Sequence, residues 1–370
     1  MNAADIWMSR ALELAAKAIG LSDPNPRVGC VIVSADGSRV LGEGHTQPAG
    51  QAHAEIMALR DATAKGHSVE GATAYVTLEP CSHQGRTGPC CDALAAARIG
   101  KVIASLPDPN PLVAGQGFAR LRAAGVEVET GPGARDSAEL NIGFFSRMKR
   151  GTPWLRMKIA ASLDGKTALE NGASQWITSE AARTDGHAWR ARAGAVLTGI
   201  GTLLEDNPRL DVRLVPASRQ PDAVVVDSRL ETPPDAAIFQ PTRRTLVYGA
   251  VESPEGQAAL EAAGATVILL PGPGGKVDLA AMLKDLARQG INELHVEAGH
   301  KLNGSFIREG LVDELLLYLA PKLLGEGRSM ANFGPLQDLA DAVPLEFVST
   351  DRVGPDLRIV ARIPGRDSFL

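Results

Sequence analysis

One histidine, one glutamate and two cysteines in the first quarter of the chain are the residues best suited to chemistry. His53 and Glu55 stand two positions apart, and Cys81 and Cys90 follow them. Imidazole and thiolate are ligands that zinc prefers, and three protein ligands leave the fourth tetrahedral position to water, as in catalytic zinc sites. A zinc ion would acidify that water towards neutral pH. Glu55, left unligated, could then carry its proton to a leaving group, so the four residues predict a hydrolytic zinc site.

The order of these residues is that of zinc deaminases, which remove an exocyclic amine from a nucleobase, but their spacing differs. Two residues separate the cysteines in the usual signature, whereas eight, Ser82–Pro89, separate them here. A structural zinc site is the main alternative, and it needs a fourth protein ligand. His83 and Cys91 are possible fourth ligands. Because Cys91 directly follows Cys90 on a predicted helix, we expect it to pack into the core rather than bind metal.

Two predicted helix starts position the site. One helix begins near His53, and another begins near Cys90, after a Gly–Pro pair. Residues two apart cannot share one face of a helix, but His53 and Glu55 can both reach a metal from the first turn if the helix N-terminus points at it. The positive end of a helix also lowers the pKa of a thiol, and the thiolate is the form that binds metal.

Length, charge and cysteine placement limit the class of protein. The 370 residues predict two domains. A net charge of −5 argues against a protein that binds duplex nucleic acid, because such proteins normally carry a basic face. No run of about 18 apolar residues occurs, so no membrane span is expected. The four cysteines lie between Cys30 and Cys91, which suits a metal site in a reducing cytoplasm better than a disulfide framework.

The patterns of apolar residues divide the chain into two α/β halves. Helix and strand patterns alternate over the first 150 residues, which end in one predicted helix, Asp136–Arg150, before the Gly151-Thr152-Pro153 stretch. Strand patterns then recur at Leu155–Ala160, Ala195–Gly199, Ala223–Asp227, Thr245–Tyr248, Thr266–Leu270, Leu294–Glu297 and Leu315–Ala320. Strands that alternate with helices favour largely parallel sheets covered on both faces.

Several stretches together resemble one enzyme family. They are Pro24–Gly29, His53–Glu55, Thr77–Thr87, Asp108–Gly115, Lys158–Lys166, Ser174–Thr178, Thr202–Leu210 and His295–Ser305. In them the chain is similar to the bifunctional deaminase/reductases of riboflavin biosynthesis, over nearly its whole length. The resemblance implies a cytidine-deaminase-like three-layer α/β domain at residues 1–150 and a dihydrofolate-reductase-like α/β domain at residues 151–370. A long insertion between the two cysteines is normal in this family.

The resemblance implies two consecutive reactions. The first is zinc-dependent deamination of 2,5-diamino-6-(5-phosphoribosylamino)pyrimidin-4(3H)-one, and the second is NADPH-dependent reduction of the product's ribosyl group to ribityl. In the deaminase it implies zinc ligands at His53, Cys81 and Cys90, a catalytic Glu55, and substrate contacts from Asn25, His45 and Arg86. A guanidinium pairs bidentately with phosphate, which suits Arg86. Taken alone, Asn25 is equally well a turn residue and Arg86 a solvated charge.

The second half lacks the Gly-x-Gly-x-x-Gly signature of ordinary dinucleotide-binding domains. A strand instead leads through Gly299 into a predicted helix, where backbone N–H groups can hold a phosphate. The resemblance implies nucleotide contacts from Ala160, Trp176, Thr202, Asp206, Ser228, Gly299, His300, Lys301, Leu302, Asn303, Gly304 and Ser305. It implies substrate contacts from Ser174, Arg190, Leu210, Arg213 and Glu297. Lys158 and Asp206 are candidates for the group that polarises or protonates the substrate. Without the resemblance, ordinary structural roles would be preferred for each of these residues.

Three functional hypotheses follow from the sequence. The first is the two-domain enzyme, acting on a small phosphorylated pyrimidine with zinc and NADPH, without nucleic acid or membrane, and self-associating through the reductase domain as the resemblance implies. The second is a nucleoside or transfer-RNA deaminase with an accessory domain, which the acidic charge disfavours. The third is a binding or regulatory protein with structural zinc. Glu55 discriminates the third from the first, because a structural site does not need it.

Overall fold

The chain folds into two compact units in a computed structural model that describes residues 3–83, 88–111 and 113–369. The first unit ends at Gly151 and also includes Phe369, and the second covers Thr152–Ser368. Among the described residues, no helix is both long and apolar enough to cross a membrane.

A five-stranded sheet forms the centre of the first unit. Its strands are β1 (Gly29–Val33), β2 (Val40–His45), β3 (Thr73–Val76), β4 (Lys101–Ala104) and β5 (Glu127–Thr130), in the order β2-β1-β3-β4-β5. Strand β1 runs antiparallel to both β2 and β3, whereas β3, β4 and β5 run parallel.

Helices cover both faces of this sheet. They are α1 (Ala3–Ala16), α2 (Ala54–Ala64), α3 (Cys90–Ala96), α4 (Gln116–Ala123), α5 (Ala134–Leu140) and α6 (Ile142–Arg150). Alternate residues of β1 enter different cores: Cys30 and Ile32 pack in the core that includes Ala58 of α2, while Val31 and Val33 pack in the core that includes Met8 of α1. A strand buried on both faces needs a continuous apolar run, which β1 has. The unit therefore has three layers.

The single helix predicted at Asp136–Arg150 is wrong, because the chain breaks at Asn141 into α5 and α6. The Asn141 side chain accepts a hydrogen bond from the backbone N–H of Arg27 at 2.7 Å and donates one to the backbone oxygen of Arg27 at 3.0 Å. Asn141 is buried, and it thus satisfies both backbone groups of a residue far away in sequence. Helix periodicity alone cannot reveal such a contact.

A nine-stranded sheet forms the centre of the second unit. Its strands are β6 (Trp154–Ser162), β8 (Ala195–Gly199), β9 (Asp222–Val226), β10 (Thr245–Gly249), β11 (Ala265–Leu269), β12 (Glu293–Val296), β13 (Glu314–Ala320), β15 (Glu346–Val353) and β16 (Asp356–Arg362). The order is β11-β10-β9-β8-β12-β6-β13-β16-β15, parallel from β11 to β13 and antiparallel beyond. A two-stranded ribbon pairs β7 (Lys166–Leu169) with β14 (Gly327–Ser329).

Helices again lie on both faces of the parallel strands. They are α7 (Glu180–Arg192), α8 (Ile200–Asp206), α9 (Pro254–Ala262), α10 (Leu279–Arg288) and α11 (His300–Arg308). Ser179 and Asp278 cap α7 and α10, each side chain accepting a hydrogen bond from a backbone N–H of the first turn. Leu197 packs in one core and its neighbour Val196 in another, which is the burial expected of a doubly covered sheet.

A buried network of charges joins three central strands of the second unit. Arg156 of β6 contacts Glu314 of β13 and lies 2.9 Å from Glu293 at the start of β12. Arg192 and Arg362 contact the same two carboxylates, Arg192 at Glu293 and Arg362 at Glu314. Each buried charge is therefore compensated, as a low-dielectric interior requires.

Replacing Arg156 with methionine is expected to destabilise the second unit by about 3 kcal/mol, the low end of the cost of breaking a buried ion pair, because each carboxylate keeps one arginine. Urea unfolding monitored by tryptophan fluorescence measures this loss of stability, since Trp189 packs against the Arg156 guanidinium at 4.4 Å. The control Arg244→Met removes a half-exposed guanidinium from Asp222, a surface pair worth about 0–1 kcal/mol. Equal losses in the two variants would contradict the structural role of the network.

Candidate active sites

His53, Cys81 and Cys90 converge on one point of the first unit. One ligand atom from each lies within 4.8 Å of the others. His53 Nδ1 is 3.5 Å from Cys81 Sγ and 3.4 Å from Cys90 Sγ. His53 occupies the N-cap position of α2, and Cys90 is the first residue of α3, so two helix N-termini meet at the cluster.

The cluster fits a zinc ion. Tetrahedral coordination with Zn–S of about 2.3 Å and Zn–N of about 2.0–2.1 Å places nitrogen and sulfur about 3.6 Å apart, close to the observed separations. Hydrogen bonds from Cys90 and His53 lower the pKa of Cys81 to about 4, although burial opposes the shift. The hydrogen bond to Cys81, together with burial, raises the pKa of Cys90. A metal cation at the cluster would bind both cysteines as thiolates.

Glu55 lies beside the cluster without being one of its three ligands. It is the second residue of α2 and is buried. Burial raises the pKa of Glu55 to about 7, with a smaller contribution from Cys81, while His53 opposes the shift. A divalent cation at the cluster would favour the carboxylate and lower this pKa. The carboxyl group can therefore exchange a proton with a molecule bound next to it.

The cluster opens into a cavity of about 540 Å³. Its lining includes His53, Glu55, Cys81, Asn25, Asp108 and Arg147. Burial raises the pKa of Asp108 to about 7. The predicted substrate contact Asn25 thus shares a cavity with the metal ligands. His45, the last residue of β2, is half-buried and is not among the lining residues. Arg86 lies outside the residues that the structure describes.

Glu79 organises one wall of this cavity, a role that the sequence analysis missed. Its buried carboxylate accepts hydrogen bonds from the backbone N–H groups of Asp108 at 3.1 Å, Gly115 at 2.9 Å, Gly117 at 2.9 Å and Phe118 at 3.2 Å. Two of these residues belong to the first turn of α4, so the carboxylate satisfies N–H groups that a helix start leaves free. The contacts are 29 to 39 residues apart in sequence, and only the position of Glu79 beside Pro80-Cys81 hints at a role.

Replacing Glu79 with glutamine should loosen this wall, because an amide nitrogen cannot accept from a backbone N–H. We expect a destabilisation of about 3 kcal/mol, the scale of one or two hydrogen bonds to a charged group. Amide hydrogen exchange should accelerate at Gly115 and Gly117. The control Glu127→Gln removes an exposed carboxylate that pairs with Lys101 on the neighbouring strand. Unchanged exchange at the two glycines would contradict this role of Glu79.

A second charged cluster lies at the carboxyl end of β12. Glu297 follows β12 and contacts Arg190 of α7, with Arg190 Nη2 to Glu297 Oε2 at 2.9 Å, and Lys158 Nζ lies 3.6 Å from Glu297 Oε2. Burial would raise the pKa of Glu297, but Arg190 and Lys158 outweigh it and hold that pKa well below its usual value. The structure thus brings together two predicted substrate contacts, Arg190 and Glu297, and one predicted catalytic residue, Lys158.

Arg190 links this carboxylate to the segment after α8. Its Nη1 donates to the backbone oxygen of Asp211 at 3.0 Å, and the Asp211 carboxylate contacts Arg213 Nη1 at 2.5 Å. Leu210 is buried, with a left-handed backbone at φ 51°. Ser174 lies half-buried in the segment between β7 and α7.

Two buried histidines that were not among the predicted site residues extend this region. His187 of α7 accepts the backbone N–H of Arg213 at its Nδ1, 3.2 Å away, and burial followed by the nearby arginines lowers its pKa to about 4. His295 Nε2 lies 3.4 Å from Glu297 Oε1. Both histidines are buried and contact predicted substrate-site residues, His187 at Arg213 and His295 at Glu297. They therefore support those residues rather than bind the substrate themselves.

A cavity of about 1090 Å³ lies at the carboxyl ends of β8, β9 and β12. Of the predicted nucleotide contacts, its lining contains Thr202, Ser228, Gly299, His300, Lys301, Leu302 and Ser305. Ligands of open parallel sheets bind at this edge. A side chain at Gly299 would reach within 3.3 Å of Thr202 Oγ1, so the glycine keeps the backbone accessible at the start of α11. Lys276, Arg308 and Arg328 add positive charge, which suits the phosphates of a dinucleotide.

The other predicted nucleotide contacts lie elsewhere. Asn303 is buried in α11 and donates to the backbone oxygen of Met330, and a side chain at Gly304 would overlap the backbone oxygen of Asn332. Trp176 exposes its ring, which packs against Arg183 at 4.5 Å. Ala160 lies on β6, and Asp206 is exposed at the end of α8. None of these five residues lines the cavity, and their contacts with a nucleotide stay predictions.

Comparison with known proteins assigns the chain to a family. The model of the RibD C-terminal domain matches residues 153–359, and that of the cytidine and deoxycytidylate deaminase zinc-binding region matches residues 1–106. The riboflavin biosynthesis protein RibD of Escherichia coli is 45% identical over 367 residues, covering 95% of this chain and 97% of the relative. The chain belongs to the RibD family.

Solved structures agree with this membership. One crystal form of Acinetobacter baumannii RibD is 40% identical, with a TM-score of 0.88 over 97% of this chain and 98% of the other. A Thermotoga maritima structure, described as a diaminohydroxyphosphoribosylaminopyrimidine deaminase and 5-amino-6-(5-phosphoribosylamino)uracil reductase, is 31% identical, with a TM-score of 0.86 over 98% and 99% of the two chains.

Family membership settles the class of activity. The chain is a bifunctional deaminase and reductase of riboflavin biosynthesis, with zinc and NADPH as cofactors. The cytidine-deaminase-like and reductase folds expected from the resemblance are confirmed. The two alternatives, a transfer-RNA deaminase and a regulatory protein with structural zinc, lose their support, and the chain is an enzyme of small-molecule substrates.

Proposed function

We propose that the first unit, with the boundary predicted near residue 150, deaminates 2,5-diamino-6-(5-phosphoribosylamino)pyrimidin-4(3H)-one. His53, Cys81 and Cys90 hold zinc in this proposal, and Glu55 moves the protons. The convergence of three ligand atoms beside a buried, unligated carboxyl group in one cavity carries the proposal. A structural zinc site would need a fourth protein ligand instead.

Glu55 has two tasks in the deamination. When bound, zinc lowers the pKa of a coordinated water to about 7 and so supplies a nucleophile. Glu55 accepts the proton that this water loses as its oxygen bonds to the ring carbon bearing the amine. The same carboxyl group passes that proton to the neighbouring ring nitrogen, whose double bond to the carbon is lost in the attack. It would then move the proton of the new hydroxyl to the amine, which leaves as ammonia while the carbon becomes a carbonyl. Asn25, His45 and Arg86 contact the substrate in this proposal.

We propose that the second unit, residues 151–370, reduces the deaminated product. NADPH, when bound, supplies a hydride for the anomeric carbon of the ribosylamine. The bond from that carbon to the ring oxygen must open, and the oxygen needs a proton, for which Lys158 and Asp206 are the candidates. Lys158 has the stronger support, because it shares the Glu297 carboxylate with Arg190. Ser174, Leu210, Arg213 and Glu297 complete the proposed substrate contacts.

The two arginines among the predicted substrate contacts of the second unit, Arg190 and Arg213, differ in how accessible they are. The Arg190 side chain is engaged on both sides by Glu297 and Asp211. The Arg213 side chain is 48% exposed. Of the two, Arg213 is therefore the arginine that we propose to meet the substrate phosphate, and Arg190 fixes the carboxylate.

We also propose that the protein self-associates through the second unit and works in the cytoplasm. Strand β15 is an edge of the nine-stranded sheet, and Phe347 on it is 74% exposed. An exposed apolar side chain on an edge strand favours pairing with another chain. The reduced zinc-binding thiols of the first unit suit a reducing compartment. Sedimentation of the purified chain tests self-association, and a Phe347→Lys variant that sediments unchanged would argue against this edge.

Incubation with the pyrimidinone phosphate, with and without NADPH, tests the proposed function. Ammonia should appear in both incubations, and the absorbance of reduced nicotinamide should fall only where NADPH is present and only after ammonia release begins. Absence of ammonia from the zinc-loaded protein would exclude the proposed deamination.

A further inference from the structure

We propose that Arg328 of β14 binds the pyrophosphate of NADPH, and that Glu205 of α8 holds its guanidinium until the nucleotide binds. This role depends on the proposed reduction with NADPH by the second unit. Arg328 Nη1 donates to Glu205 Oε2 at 2.6 Å, and both side chains line the cavity of that unit. Neither residue is among the predicted nucleotide contacts, and 123 residues separate them in the chain.

The start of α11 is where the pyrophosphate is expected. Gly299 at its N-cap offers no side chain to the first N–H groups of the helix, which can therefore bond to a phosphate. A side chain at Gly299 would lie 3.3 Å from Thr202 Oγ1, so α8 meets α11 at this point. Glu205 follows Thr202 by one helical turn on α8, on the same helix face. The pair of Glu205 and Arg328 therefore lies beside the start of α11.

The start of α11 cannot balance a pyrophosphate by itself. A helix N-terminus carries about half an elementary charge, whereas the pyrophosphate of a dinucleotide is doubly charged. Lys301 of the first turn adds one positive charge, and Arg328 can supply another through a guanidinium that bonds to two phosphate oxygens. Arg308 also lines the cavity, but it lies about 13 Å beyond Gly299 along the helix axis and donates to Ser305. Arg328 is thus the better placed arginine.

The Arg328 guanidinium is held at the cavity and still accessible from it. Strand β14 pairs Arg328 with Ala168 of β7. A side chain added at Gly172, in the turn after β7, would lie 3.2 Å from Arg328 Nη2. The side chains of Arg328 and Glu205 are 33% and 56% exposed. Because an ion pair this exposed is weak, a phosphate can replace the carboxylate at little cost.

Binding of NADPH to the full chain, measured by the fluorescence of the reduced nicotinamide, tests this role without turnover. Arg328→Met should raise the Kd of NADPH about 10-fold or more, the effect of losing a hydrogen-bonded contact with a charged group. Glu205→Gln should lower the Kd by up to about fivefold, because the carboxylate that competes with the phosphate is gone. Arg244→Met removes a guanidinium from its pair with Asp222, outside the cavity lining, and should bind NADPH as wild type does.

NADH identifies the phosphate that Arg328 contacts. It keeps the pyrophosphate and lacks the 2′-phosphate, so Arg328→Met should weaken the binding of NADH and NADPH by the same factor. A loss of affinity for NADPH alone would overturn the pyrophosphate assignment. Equal weakening by Arg328→Met and Glu205→Gln would also overturn it, because the ion pair would then serve only to hold β14 in place.

The wild-type chain separates this role from the proposed reduction. If wild type binds NADPH and Arg328→Met binds it as tightly, the role of Arg328 is wrong while the proposed reduction still stands. If the wild-type chain neither bound NADPH nor oxidised it with supplied deaminated product, the proposed reduction itself would fail, and the role of Arg328 with it.

Discussion

Replacing Glu55 with glutamine is expected to lower the deaminase kcat by roughly 10²- to 10⁴-fold, the usual contribution of a general acid–base group. Glutamine has nearly the same shape but can neither accept a proton from water nor deliver one to the departing amine. Because Glu55 is not one of the three clustered ligands, zinc should stay bound in the variant. The two measurements are ammonia release and zinc content after dialysis.

The reductase of the same chain provides an internal control for Glu55→Gln. Reduction of separately supplied deaminated product should proceed as in wild type, since Glu55 belongs to the first unit. Glu43→Gln is the matched variant within that unit, because Glu43 on β2 pairs with Arg10 at 2.7 Å and does not line the cavity. Near-normal deamination by Glu55→Gln would remove Glu55 from the chemistry and revive a structural role for the zinc.

Replacing Glu297 with glutamine is expected to lower the reductase kcat/KM by about 10²-fold or more, because one partner of a desolvated charge cluster is lost. Arg190 and Lys158 would keep their charges without the carboxylate that positions them. The second unit should also lose about 3 kcal/mol of stability, the cost of leaving buried charge uncompensated. Steady-state kinetics on supplied deaminated product and urea unfolding measure the two effects.

The stability effect of Glu297→Gln should depend on pH in a defined direction. The folded pKa of Glu297 lies well below its usual value of 4.5, so the carboxylate stabilises the folded state fully above that value. The difference between wild type and variant should therefore be constant near neutral pH, begin to shrink as the pH falls below about 4.5, and be lost below the depressed folded pKa. Asp222→Asn, which loses a surface pair with Arg244, is the control. A variant as active as this control would exclude Glu297 from the reductase site.

The zinc cluster could be predicted from sequence because its parts are local signals. His53 and Cys90 each coincide with a helix start, and such starts are visible in the order of residues. Strand β1 was equally visible, because burial on both faces leaves an uninterrupted apolar run. The nucleotide contacts needed the resemblance, since a glycine between strand and helix is common.

The features that escaped prediction depend on distant contacts. The carboxylate of Glu79 and the amide of Asn141 satisfy backbone groups far away in sequence, which no periodicity reveals. Strand β15 escaped because it is largely exposed and lacks a buried face. Asn303 and Gly304 belong to the same sequence stretch as residues that line the cavity, but they pack inside the fold. They lie on a face of helix α11 that does not point at the cavity.

Selective removal of zinc is the most direct test of the claim that one chain catalyses two independent reactions. The full chain is treated with a chelator and assayed separately for ammonia release from the diaminopyrimidinone phosphate and for NADPH oxidation with supplied deaminated product. We expect ammonia release to cease and to return when zinc is restored, while NADPH oxidation continues at the untreated rate. Ammonia release that survives complete removal of zinc would contradict the account.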